Sequence, residues 1–369
     1  MLKKYHLRNY NFKLLFLVLA ATIMGTLMIN SADSSYLNKQ IVGLVICLIG
    51  MITLSLIDYK FIRKFHSILY VINIILLLCV IFFGTSVNGA QRWLGSENFI
   101  TIQPSEFTKI IMIICAAHFL ADHKETINTF KTLAEYCVIC AIPLILIVAQ
   151  PDLSTTIDVF FILFMMLFVA GLSYKIIGIA FLCTIPLAGS FLWYIKQPNP
   201  LFLKDYQVQR ILAFLYPEDY ASTTQYQQDN SVMAIGSGQL FGKGLNNSTL
   251  ATVKDANLIS EQQTDFIFSV VGEELGFVGS VLLVVILGLI VLQCIGTARK
   301  ASDNMGMLIA TGVATLIGFQ SFINIGVATS LLPNTGIPLP FISYGLSSLV
   351  SSCAAIGLVI NVSLQRRKY

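Results

Sequence analysis

The chain has 369 residues, of which 56% are hydrophobic and only 11% charged, with a mean hydropathy of +0.78. That balance excludes an ordinary soluble domain and defines a protein that crosses a bilayer many times. The net charge of +4 reflects a bias toward one side of the membrane rather than an exposed basic patch, and nothing points to nucleic acid.

A membrane-crossing helix needs about 20 apolar residues. Runs of this kind occupy 14–30, 38–57, 66–84, 104–121, 134–149, 154–172, 174–195, 271–295, 305–329 and 343–363, the fifth being the shortest. The fold predicted is an all-α polytopic membrane protein of ten transmembrane helices. Residues 1–369 form a single domain with one large extracellular loop, about 196–264, between helices seven and eight. The basic stretch before the first run has the look of a signal sequence, but no small-residue cleavage site follows it and nine more spans do, so it is read as retained.

An even number of spans puts both termini on one side, and lysine and arginine decide which. With the N-terminus in the cytoplasm, the inner segments hold 15 of the 23 basic residues, among them Lys60, Arg63, Lys64, Arg299 and Lys300. The loops around Arg92, Pro151, 196–264 and Pro333 then lie outside.

Several familiar chemistries find no support. All eight cysteines fall in apolar runs and read as small hydrophobic residues. Cys137-Val-Ile-Cys140 has a CxxC spacing, but no second pair and no histidine beside it. His6, His66, His118 and His123 are too scattered for a zinc site. No repeat aligns the first five spans with the last five, as an inverted-repeat transporter would require. Neither a P-loop nor a GxGxxG fingerprint occurs, so any chemistry must draw its energy from the substrate.

Polar residues in or beside the spans are the functional candidates, because each is costly to insert. In chain order, Arg92 and Trp93 lead through Gln103-Pro-Ser-Glu106 into the fourth span, where Glu106 and Lys109 are spaced to pair on one face. Either that pair only pins the helix end, or Lys109 or Arg92 also meets a phosphate. Gln150-Pro-Asp152 forms an outer turn in which Asp152 can cap the sixth span, while Asp158 lies one turn deeper.

The long loop mixes aromatic residues with Gly236, Gly238, Gly242 and Gly244, which suits folding back onto the membrane surface, with Phe241 as an anchor. The glycines allow turns close to a polar ligand, or simply a structured turn without one. Arg210 and Lys243 are outer cations able to bind a lipid pyrophosphate or ordinary headgroups.

Asp265 stands where the loop becomes the eighth span. On a continuous helix Gly272, Gly276 and Gly279 would fall beneath it as a smooth stripe, suited to helix packing or to a lipid tail. Glu273 and Glu274 mark the depth at which charge ceases to be tolerated. The three prolines and two glycines of Leu332–Ser348 predict irregular backbone in a cavity wall.

Six segments in order, Asn88-Gly-Ala-Gln-Arg-Trp93, Gln103-Pro-Ser-Glu106, Gln150-Pro-Asp152, Ala234-Ile-Gly-Ser-Gly238, Thr264–Gly276 and Gly336–Gly345, closely resemble the bacterial SEDS family of RodA, FtsW and SpoVE. The resemblance spans nearly the whole chain. It implies a ten-helix peptidoglycan glycosyltransferase that polymerises lipid II outside the cytoplasmic membrane, beside a class B penicillin-binding protein as transpeptidase. The family's catalytic aspartate falls on Asp265, and Trp93, Glu106 and Lys109 match positions important for activity.

Arg92, Trp93, Gln103, Glu106, Lys109, Gln150, Asp152, Arg210, Lys243, Glu273 and Ser343 are the expected substrate-binding set. No cofactor is required, although a divalent cation, Mg or Mn, could share the pyrophosphate charge with Asp265 as a possible ligand. Ser260, Gln263 and Leu346 depart from the usual family residues. The short tails favour the RodA type. A lipid II flippase, or a non-catalytic scaffold for the transpeptidase, would use the same lipid and the same charges.

Overall fold

A computed structural model describes residues 9–87, 90–95, 101–195, 205–220, 224–247, 252–254, 256, 258–260 and 262–365. The terminal basic residues Lys3, Lys4, Arg8, Arg366, Arg367 and Lys368, and Asn88 and Gly89 of the first motif, lie outside that set.

Thirteen α-helices are present among these residues. They are α1 (Phe12–Ala32), α2 (Leu37–Leu56), α3 (Tyr59–Arg63), α4 (His66–Phe83), α5 (Pro104–Asp122), α6 (Phe130–Ala149) and α7 (Leu153–Gly171). They continue as α8 (Tyr174–Ile195), α9 (Asp205–Leu215), α10 (Thr224–Ser237), α11 (Ile267–Arg299), α12 (Asn304–Ala328) and α13 (Leu346–Leu364). A small antiparallel hairpin, β1 (Thr85–Val87) and β2 (Ala90–Trp93), precedes α5.

Ten of the helices are long and apolar enough to cross a membrane, matching the ten runs in the sequence. The shortest run gains a turn at its start, because the Thr129 side chain caps α6 at the Thr132 N–H. The large loop is not one irregular excursion, since it contains α9 and α10.

The most buried spans are α5, α12 and α13, which form the middle of the bundle. The outer spans keep aliphatic and aromatic side chains such as Phe16, Phe82 and Leu182 exposed, as lipid-facing surfaces require. At the end away from the hairpin, Asn361 of α13 donates to the Ser55 carbonyl at 2.8 Å and accepts from the Tyr59 N–H at 3.0 Å. One buried amide thereby satisfies the backbone where α2 ends and α3 begins. Cys137 is exposed on the apolar surface rather than packed inside, while Cys47, Cys115, Cys140, Cys294 and Cys353 are buried.

The glycine stripe expected below Asp265 is not a helix face. Asp265 precedes the first residue of α11, and Gly276 interrupts that helix with φ 64° and ψ −162°. The break frees backbone groups, and the 239–244 segment enters to bond them. Phe277 and Val278 donate to the carbonyls of Gln239 and Leu240 at 2.8 and 3.1 Å, while Lys243 and Gly244 donate to those of Glu273 and Glu274 at 2.9 and 3.0 Å. Irregular backbone at this depth survives only with such partners. Gly238 and Gly242 allow the approach, since a Cβ on either would lie within 2.1 Å of a carbonyl oxygen of α11. These two glycines therefore serve backbone packing rather than a ligand.

Candidate functional site

Where the hairpin, the start of α5, the start of α7, α9, Ser260, the Thr264-Asp265 pair and the 334–348 segment meet, they enclose a cavity of about 690 Å³. Each element delivers its polar residue by an ordinary local device. The hairpin carries Arg92 and Trp93 to the wall, and the Leu94–Ile102 bridge then leads the chain into α5. Pro104 opens α5, where a missing N–H costs nothing. Asp152 caps α7, accepting from the Thr155 N–H at 3.2 Å and from its hydroxyl at 2.9 Å.

Two charge clusters line the floor. Lys109, 2% exposed, lies 2.8 Å from Glu106 Oε1 and 3.5 Å from Asp158 Oδ2, and Gln320 of α12 donates to the same Asp158 oxygen at 2.7 Å. One cation faces two acids. Beside them, Arg92 Nη1 sits 3.6 Å from Asp152 Oδ1, and Gln103 Nε2 donates to Asp152 Oδ2 at 3.2 Å. Asp152 thus caps a helix and also holds an arginine.

Asp265 occupies the mouth, half-buried. The point where a Cβ on Gly336 would stand is 3.2 Å from Asp265 Oδ2 and 3.5 Å from Arg210 Nη1. A carboxylate and a guanidinium therefore converge beside one bare stretch of backbone. Arg210 is oriented by its bond to the Thr335 carbonyl at 3.3 Å.

Three stitches fix the Asp265 segment. Ser343 Oγ donates to the Thr264 carbonyl at 2.6 Å, the Tyr344 N–H donates to the Gln263 carbonyl at 2.9 Å, and Asn324 Nδ2 donates to the carbonyls of both Asp265 and Ile337 at 2.8 Å.

Of the residues expected at the site, Arg92, Trp93, Gln103, Glu106, Lys109, Asp152, Arg210 and Asp265 line one cavity. Four do not. Lys243 bonds Glu273 at 2.7 Å, and the Glu273 carboxylate also accepts from the Val253 and Lys254 N–H groups, so this pair pins the loop to α11 away from the cavity. Glu274 is likewise held by Lys254 at 2.7 Å. Both acids lie deep because loop lysines follow them in. Gln150 is buried and bonds the Leu77 carbonyl at 3.0 Å, while Ser343 acts on the backbone next to Asp265.

Gln320 and Asn324 were not among the expected residues. Two amides four residues apart in an otherwise apolar span fall on one helix face, and that spacing was the available signal.

A divalent cation at Asp265 would find little support from the chain itself. No group of three His, Cys, Asp or Glu side chains is placed to hold a metal among the described residues. Asp152 and Glu106 are already engaged by Arg92 and Lys109, and Arg210 stands beside Asp265. Its oxygen ligands would have to come mainly from a bound pyrophosphate.

The arrangement defines a polytopic membrane protein with a charged, backbone-lined cavity at one end of the bundle, suited to a polar group carried on a lipid. A family model described as "Cell cycle protein", covering FtsW, RodA and SpoVE, matches residues 5–368, and the chain belongs to that family. It is 33% identical to a probable peptidoglycan glycosyltransferase FtsW of Geobacter metallireducens, over 98% of this chain and 96% of that one. It is also 33% identical to the peptidoglycan glycosyltransferase MrdB of Escherichia coli K12, over 96% and 93%. A chain solved in work on the structural coordination of polymerization and crosslinking by a peptidoglycan synthase complex superposes with a TM-score of 0.80 at 28% identity, covering 96% of this chain and 97% of that chain. Equal identity to an FtsW and to MrdB gives no preference between the two types.

Proposed function

We propose that this chain is a peptidoglycan glycosyltransferase that polymerises lipid II into glycan strands, with Asp265 as the general base. The observation that carries the reading is the convergence of Asp265 and Arg210 on one point beside Gly336. The reaction needs a negative group at the attacking hydroxyl and a positive one at the leaving group, each within hydrogen-bond reach of its reacting atom. The acceptor 4-hydroxyl must lose its proton as its oxygen attacks the anomeric carbon, and a carboxylate at the mouth accepts it. The bond from that carbon to the undecaprenyl pyrophosphate oxygen breaks, and negative charge gathers on the leaving group, where Arg210 and Arg92 can meet it with forked hydrogen bonds. The donor arrives activated, so no nucleotide is consumed.

In this reading the cavity faces outward from the bacterial cytoplasmic membrane with both termini inside, an orientation that the lysine and arginine bias of the opposite segments supports. The partner in this reading is a class B penicillin-binding protein that crosslinks the strands. Asp265 is the residue that would hold a divalent cation, which would offset the charge of the leaving pyrophosphate.

The test is polymerisation of purified lipid II by the purified protein with its transpeptidase. Asp265→Asn should abolish glycan chains while the complex still assembles. Polymer made by that variant would refute the assignment of the base, and lipid II crossing the membrane without polymer would favour the flippase.

A further inference from the structure

A second cavity, of about 860 Å³, opens beside the first. It lies between the end of α1, the turn at Ser34–Tyr36 and, from the loop before α11, residues 246–247, 254, 259–260 and 262–263. Its size falls within the roughly 300–1,000 Å³ of small-molecule sites. Its chemistry differs from that of the Asp265 cavity. The wall presents the amides of Asn30, Asn247, Gln262 and Gln263 and the hydroxyls of Ser34 and Tyr36. The lysine in it, Lys254, is matched by Glu274 at 2.7 Å and bonds Ser31 Oγ at 2.9 Å, and Asp33 adds a negative charge. Such a surface disfavours a pyrophosphate and suits an uncharged, polyhydroxylated ligand.

Gln262 is 5% exposed, its Nε2 donates to the Ala32 carbonyl at 3.2 Å, and its Oε1 has no hydrogen-bond partner among the described residues. The bond to Ala32 fixes the Gln262 amide in the wall, and the amides and hydroxyls around it supply the ligand contacts. The two cavities also share a boundary. Ser260 lines both, and Tyr36 of the second packs on Tyr344 of the first with ring centroids 4.4 Å apart. Gln263 of the second cavity is two residues from Asp265.

We propose that this second cavity binds the neutral N-acetylated sugar chain that extends away from the bond being formed at Asp265, and so holds the growing strand between additions. The proposal rests on the glycosyltransferase reading. Amides and hydroxyls pair with sugar hydroxyls and acetamido groups, and the tyrosine pair offers an apolar face for a pyranose ring.

The probe is chitotetraose, a soluble, uncharged β-1,4-linked N-acetylhexosamine chain, added to the full-length protein in detergent and followed by saturation-transfer NMR. Wild type should bind it. The Asn30→Ala, Gln263→Ala double variant should weaken binding about tenfold, the loss of one or two hydrogen bonds, while Arg210→Ala should retain it. Ser34→Trp, at the exposed rim, should shorten the strands made from lipid II several-fold. No binding by wild type, equal binding by the double variant, loss on Arg210→Ala, or a wild-type strand length with Ser34→Trp would each overturn the proposal. Failure of wild type to polymerise lipid II would instead overturn the catalytic reading, and chitotetraose binding does not depend on it.

Discussion

Asn324 holds the backbone of Asp265 from inside the bundle, and the same Nδ2 holds Ile337 across the cavity rim, each at 2.8 Å. One buried amide on a packed helix thus sets the separation of the two segments that carry Asp265 and the bare backbone opposite it. Asn324→Leu removes the donor from both carbonyls, at roughly 1–3 kcal/mol for each acceptor left buried and unpaired. Because misplacement of a reacting group by about 1 Å can cost on the order of 10²-fold, lipid II turnover should fall more than the shift in thermal midpoint alone explains. Turnover and unfolding measured on one preparation decide this, and unchanged turnover would show that Asn324 does not position Asp265.

The floor of the cavity is charge-imbalanced, with Lys109 between Glu106 and Asp158. The imbalance makes the two ends of the pair unequal. Glu106→Gln leaves one cation against one acid. Lys109→Met leaves two acids buried together, and breaking a buried pair in that way costs roughly 3–5 kcal/mol. Lys109→Met should therefore lower the thermal midpoint and folded yield much further than Glu106→Gln. The reverse order, read by unfolding in detergent, would contradict the assigned pairing.

Much of this was legible in the chain, for identifiable reasons. Ten apolar runs appear as ten spans because bilayer thickness forces helix length, and Glu106 and Lys109 meet because i, i+3 spacing is a local property. Asp152 caps α7 as an aspartate at that position should. What failed was non-local. Helical-wheel geometry presumes an unbroken helix, but Gly276 stops α11 so that the 239–244 backbone can enter, and nothing in the local sequence reveals which strand of loop will do so. The destinations of Lys243 and Lys254 follow from that entry: each reaches an acid that looked like a depth marker. The Gln320 and Asn324 spacing marks a polar face on α12, but that Asn324 bonds the Asp265 and Ile337 carbonyls is a non-local fact that the spacing does not reveal.

Gly276 permits a direct check of that loop entry. A Cβ there would lie 2.3 Å from the Gly242 nitrogen and 2.8 Å from the Leu240 carbonyl carbon, at a φ that disfavours any L side chain. Gly276→Ala should cost about 1–2 kcal/mol from backbone conformation alone, with the clash in addition. The 239–247 segment should become sensitive to limited proteolysis. Gly288, farther along α11, has nothing within 4 Å of its added Cβ, so Gly288→Ala is the matched control and should leave digestion unchanged. Equal digestion of the two variants would mean that the loop is not held by the break.

Arg210 offers the sharpest test of how the leaving group is met. It converges with Asp265 beside Gly336 from α9, bonds the Thr335 carbonyl at 3.3 Å and lines the cavity. If its guanidinium stabilises charge developing on the pyrophosphate, Arg210→Ala should lower kcat by roughly 10²–10³-fold, as removal of one preorganised donor does elsewhere. Arg210→Lys should recover only part, because an ammonium keeps the charge but not the planar fork. A purely structural role, anchoring α9 to the 335 segment, predicts a different pattern: a lower thermal midpoint, a raised KM and a kcat within a few-fold of wild type. Steady-state kinetics on lipid II, with unfolding measured alongside, separates the two. A kcat unchanged in Arg210→Ala would remove the arginine from the chemistry and leave Arg92 to carry that charge.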